Sequence, residues 1–115
     1  MPVDECLDAY TEFVEFLARL LEKVKHYETM SREDRRELES LLARVSRACD
    51  VPVDDIRDAI EYLEGEVLEL NYLKRKSIEE RRKMKMRIEE HAMTLLAKLK
   101  RRVTESLARR EEITA

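Results

Sequence analysis

The chain has 115 residues, of which 43% are charged and only six are aromatic (two Phe, four Tyr, no Trp), with one Gly, two Pro and a formal net charge of −3. That composition excludes a strand-rich domain, because the Gly/Pro/Asn turn clusters that punctuate sheets are missing and Val, Ile and aromatic residues nowhere alternate with polar ones. A single Gly also excludes a glycine-rich phosphate loop, and no apolar run reaches the length needed to cross a bilayer.

The good helix formers Ala, Leu, Glu, Lys, Arg and Met dominate, so the expected fold is all-α: an antiparallel helical bundle or hairpin with a long basic C-terminal helix. The spacing predicts a first helix from Asp4 to Glu28, capped by Asp4. Leu7, Tyr10, Val14, Leu17, Leu21 and Val24 repeat at 3-4 spacing, and Phe13, Phe16, Leu20 and Tyr27 widen the stripe enough to meet two neighbouring helices. Ser31 with Asp34 three residues on reads as a capping box that opens a second helix. Leu38, Leu41, Leu42, Val45 and Cys49 form its inner face, and Pro52 ends it by disfavouring helical geometry at Val51.

Asp54 is the expected cap of a third helix with inner residues Ile56, Ala59, Ile60, Leu63, Val67, Leu70 and Leu73. Gly65 sits inside it, which costs about 1 kcal/mol relative to Ala and suggests a close helix approach or a slight bend. No Gly or Pro follows Gly65, so the favoured reading is one continuous or mildly kinked helix to Arg110, about 80 Å long. The alternative is a fresh start at Ser77, with Glu80 completing a capping box. Met84, Ile88, Ala92, Leu95, Leu99, Val103 and Leu107 (or Ser106) form a narrow stripe on this last helix, suited to one partner helix. These seven are the expected oligomer interface of a homodimer.

The charges divide the chain into an acidic three-helix region, 1–73, and a basic long helix, 74–115. Residues 1–70 hold 9 Lys/Arg against 19 Asp/Glu, whereas residues 71–110 hold 14 Lys/Arg against 5 Asp/Glu. Either the halves neutralise each other, within a chain or between subunits, or part of the basic segment faces a polyanion. The candidate phosphate contacts are Lys74, Arg75, Lys76, Arg81, Arg82, Lys83, Lys85 and Arg87, with a second cluster at Lys98, Lys100, Arg101 and Arg102. Binding through them would be salt-sensitive and sequence-blind, without base stacking, since no aromatic follows Tyr72.

Other motifs carry less. Val45 to Ala59 partly resembles a helix-turn-helix, with Val45, Ser46, Cys49, Asp50, Val51, Ile56 and Ala59 near that motif's slots. Its second helix, however, would present Asp54, Asp55, Asp58, Glu61 and Glu64 to phosphates, so a plain αα-corner is expected. His26 and His91 are each preceded at three residues by Lys23 and Ile88, not by the Glu of a di-metal bundle, and read as surface or boundary residues. Cys6 and Cys49 read as two reduced core residues, with a disulfide as the alternative favoured by a heat-adapted source. The absence of Gln and the presence of one Asn, Asn71, lean the same way.

The expected function is a non-enzymatic scaffold or assembly protein acting through helix–helix self-association or a protein partner. The alternative is a nucleic-acid-binding accessory or packaging protein that uses Lys74–Arg87. No catalytic set, metal site, cofactor, membrane contact or small-molecule substrate is expected. The N-terminus lacks the basic and apolar regions of a signal peptide, so a cytoplasmic location is expected.

Overall fold

In a computed structural model, the backbone is described for residues 3–72 and 77–114, and side chains for 5–70 and 77–110. Four helices account for nearly all of it: α1 (Val3–Lys25), α2 (Arg32–Cys49), α3 (Asp54–Tyr72) and α4 (Ile78–Thr114). The fold is all-α, and no described helix is long and apolar enough to cross a membrane.

The helix ends follow from local chemistry. α1 stops at Lys25, short of the expected Glu28, because Tyr27 turns left-handed (φ 58°) and the Glu28 amide closes back on the Lys23 carbonyl at 2.8 Å. Ser31 caps α2 as expected: its hydroxyl accepts from the Asp34 amide at 3.0 Å, and the Asp34 carboxylate accepts from the Ser31 amide at 3.1 Å. Asp50 ends α2 in the left-handed region (φ 53°), one of the few side chains that tolerate it. Asp54 is the first residue of α3 and not its cap.

The helices run up-down-up-down. Cys6–Cys49 and Lys23–Asp34 tie opposite ends of α1 and α2, which makes that pair antiparallel. Asp55–Arg102 and Glu66–His91 do the same for α3 and α4, and Arg35–Glu64 joins the start of α2 to the later turns of α3. α2 and α3 therefore fold back on one another as a hairpin, with Val51 and Val53 buried in the turn, in place of an open corner. α4 starts at Ile78 and returns along α3, so the expected continuous helix is wrong and the alternative start at Ser77 is right. The Ser77 hydroxyl accepts from the Glu80 amide at 3.2 Å. At 1.5 Å per residue the 37 residues of α4 span about 55 Å, matching the 58 Å long axis of the molecule.

The core corrects two expectations. On α1 the buried line is Cys6, Ala9, Phe13, Leu17, Leu20 and Val24, while Leu7 is exposed and Val14 and Leu21 are half-buried. The stripe is rotated toward the small residues Cys6 and Ala9, which let α1 approach α2 closely. On α4 the expected oligomer stripe is this chain's own core. Ile88, Ala92, Leu95, Leu99 and Val103 are buried against the other helices, and Met84 and Leu107 pack at the edge. Its partner helices are in the same chain.

At one end of the bundle the C-terminal turn of α2 is held three ways. Cys49 is disulfide-bonded to Cys6, which replaces the expected reduced pair. The buried Ser106 hydroxyl donates to the Cys49 carbonyl, and Arg110 Nη2 donates to the Ala48 carbonyl at 2.9 Å. These are carbonyls that a helix end leaves without intrahelical donors. That role explains a serine, Ser106, in an otherwise apolar stripe.

Glu64 is the one buried ionisable side chain among the described residues, 4% exposed between α2 and α3. Arg35 Nε lies 2.6 Å from its Oε2, while Oε1 has no hydrogen-bond partner among the described residues. Burial pushes its carboxyl above the usual range, and Arg35 only partly opposes this. A raised folded pKa contributes stability below the unfolded value that is lost as pH rises through the folded one. Glu64→Gln is therefore expected to melt no lower than wild type at neutral pH, with the two converging near pH 4. Thermal melts across that range test this, and a clear loss of melting temperature at neutral pH would show that the Arg35 pair outweighs the burial.

Candidate interaction surface on the third and fourth helices

The structure divides the basic candidates into two groups. Lys74, Arg75 and Lys76 lie outside the described residues. Arg81, Lys85, Lys98 and Arg102 are engaged within the chain. The Arg81 guanidinium stacks 4.3 Å from the centre of the Tyr27 ring, and Lys85 Nζ donates to the Lys25 carbonyl at 3.0 Å. Arg102 grips both carboxylate oxygens of Asp55 at 2.6 Å and donates to the Pro52 carbonyl at 2.9 Å, and Lys98 lies 3.6 Å from the same carboxylate. The Arg102 guanidinium holds the Asp55 carboxyl well below the usual carboxylate range. Arg82, Lys83, Arg87, Lys100 and Arg101 are exposed and pair with no described carboxylate.

Neutralisation between the two halves thus occurs, but it is concentrated on α3. Among the described residues the cross-half ion pairs are Lys98 and Arg102 with Asp55, beside the hydrogen bond between His91 and Glu66. Lys23–Asp34, Arg35–Glu64 and Arg44–Glu12 lie wholly inside the acidic half. An ion-pair count by halves could not foresee this, because the acidic helices carry their own arginines on facing turns.

Between α3 and α4 runs a seam whose floor is Ile56, Ala59 and Leu95 and whose rim is Asp55, Tyr62, His91, Thr94 and Lys98. It encloses a cavity of about 200 Å³. Glu66 Oε1 lies 2.6 Å from His91 Nδ1, and a carboxylate only accepts, so Nδ1 carries the proton of this hydrogen bond. Tyr62 stands edge-on to His91, with ring centroids 5.6 Å apart. The sequence reading missed this cluster: His91 and Glu66 are 25 residues apart, and no local motif joins them. His26, by contrast, is exposed as expected.

Six large apolar side chains are exposed among the described residues, and five of them belong to this helix pair: Tyr62, Leu68, Ile78, Met86 and Met93, with Leu7 the exception. The pair therefore offers helix surface carrying apolar side chains among mixed charges, suited to contact with another helix or, along α4 alone, with an anion. Compared with models of known protein families, with curated proteins and with solved structures, the chain matches none.

Proposed function

We propose that this protein is a non-enzymatic helical assembly protein that acts through helix–helix self-association, as a homo-oligomer with a dimer as its first unit, or by docking a protein partner. The observation that carries this reading is the concentration of exposed large apolar side chains on the α3–α4 pair while the interior stripe of α4 is already filled. Scattered exposed apolar residues are ordinary, but five of six on one helix pair favour an interaction surface there. We place the protein in the cytoplasm, where its disulfide requires the heat-adapted source toward which the near-absence of Asn and Gln leans. Light scattering over a concentration series tests the reading: the mass is expected to rise from 13.7 kDa toward twice that value, and a constant 13.7 kDa would overturn self-association.

A second reading, nucleic-acid binding, has its own support in the five outward cations Arg82, Lys83, Arg87, Lys100 and Arg101. Fluorescence anisotropy with labelled DNA and RNA tests it. If all five contact a duplex, log affinity falls against log salt with a slope of about −4 to −5. No binding at low salt removes this reading.

A further inference from the structure

We propose that the outer face of the α3–α4 pair docks a second copy of this chain about a two-fold axis parallel to the helices, with α3 of each copy lying on α4 of the other. This rests on the assembly reading above and names one surface for it, on which Tyr62 is the exposed apolar side chain.

Asp58, Tyr62, Gly65 and Glu69 recur at spacings of four, three and four on α3, so they form one column, and all four are exposed. The column is acidic at both ends, with an aromatic ring and a glycine between. On α4 the spacing 87, 90, 94, 97, 101 makes a second exposed column that begins with Arg87 and ends with Arg101, with Thr94 and Ala97 between. Glu90 interrupts it, one turn from Arg87 on the same helix. The face therefore has a carboxylate column beside a guanidinium column, with small residues midway along each.

The internal contacts set the levels of the two columns. Asp55 is level with Lys98 and Arg102, Glu66 is level with His91, and Glu69 lines the same depression as Arg87. Asp58 is then level with the turn that ends at Arg101. A two-fold axis along the helices keeps every level and exchanges α3 for α4. Asp58 of one copy thus comes within reach of the long Arg101 side chain of the other, about one turn along, and Glu69 meets Arg87, with each pair occurring twice. One surface carrying both halves of the charge pattern is what an isologous interface needs. An anion would find only α4 attractive, because the α3 column repels it.

The middle of the face fits the same arrangement. Tyr62 is 64% exposed beside the 200 Å³ cavity, and at this level each copy's ring reaches the other's seam above Ala59 and Leu95. A Cβ added at Gly65 would meet nothing within 4 Å, so this helix position is open to a second backbone. The same opening makes Gly65 a clean probe.

Sedimentation velocity from micromolar to millimolar protein, with folding monitored by circular dichroism, tests the proposal on three variants. Asp58→Lys/Glu69→Lys and Arg87→Glu/Arg101→Glu are each expected to weaken association by about tenfold or more, since like charges meet across the interface. Mixed in equal amounts, the two are expected to regain the wild-type affinity as a heterodimer. Gly65→Trp is expected to stay folded and monomeric. If the wild type associates but the reversed pairs and Gly65→Trp associate equally well, this surface is wrong and the assembly reading stands. If the wild type stays at 13.7 kDa throughout, self-association falls and takes this surface with it.

Discussion

Reducing the Cys6–Cys49 disulfide is expected to lower the melting temperature by roughly 8–16 °C without dissolving the helices at ambient temperature. The bond joins residues 43 apart, and the loop-closure entropy it removes from the unfolded chain corresponds to about 4 kcal/mol; measured values for such links are commonly nearer 2–4 kcal/mol. At about 2.1 cal/mol/K of unfolding entropy per residue, a chain of this length loses about 4 °C for each kcal/mol. Melts of the same protein with and without reductant isolate the cross-link, because no side chain is changed. The Cys6→Ala/Cys49→Ala variant adds the loss of two buried sulfurs and is expected to melt somewhat lower still. The α2 terminus does not come free in either case, since Ser106 and Arg110 still hold the Cys49 and Ala48 carbonyls. A reduced protein melting within a degree or two of the oxidised one would mean that these two hydrogen bonds and the surrounding core hold this end without the covalent link.

The boundaries of α2, α3 and α4 were legible because each has a chemical start or stop within one turn of its end. Ser31 with Asp34, Pro52 after Val51, and Ser77 before Glu80 are all visible as residue types. The largest boundary error, the continuous last helix, arises where two such signals compete. Ser77 and Glu80 stand against an unbroken run of good helix formers, and helix propensity alone favours continuity. The cost of leaving the apolar face of α4 in water settles the matter the other way. Ile88, Ala92, Leu95, Leu99 and Val103 find cover within the chain only if α4 turns back.

That same residue set explains why the interface was placed wrongly from the sequence. A narrow 3-4 stripe specifies that a helix has a partner; it carries no information on whether the partner is covalently attached. The charge asymmetry was real but equally silent on geometry. Arg102 and Arg101 are neighbours in sequence and alike in chemistry, yet one grips Asp55 and the other faces outward, because successive residues on a helix point about 100° apart. The reading of Cys6 and Cys49 failed for a related reason. Whether two cysteines bond is decided by the approach of α1 and α2, and only the unexpected rotation of α1 toward Cys6 and Ala9 brings them together.

Leu99→Ala is expected to destabilise the single chain, which separates the core role of this stripe from the interface role that its spacing also suits. Leu99 is fully buried, and truncating such a leucine costs about 2–5 kcal/mol from lost transfer energy and the cavity left behind. The melting temperature should fall by roughly 8–20 °C, by the same amount in dilute and concentrated samples. Lys100→Ala, one residue on but exposed, is expected to change stability by no more than about 0.5 kcal/mol. Were Leu99 instead at a subunit contact, its truncation would lower the assembled mass, and any loss of stability would shrink in dilute samples where the wild type is already dissociated. Melts of both variants at two concentrations, read beside their sedimented masses, therefore decide which surface α4 uses for folding and which it leaves for a partner.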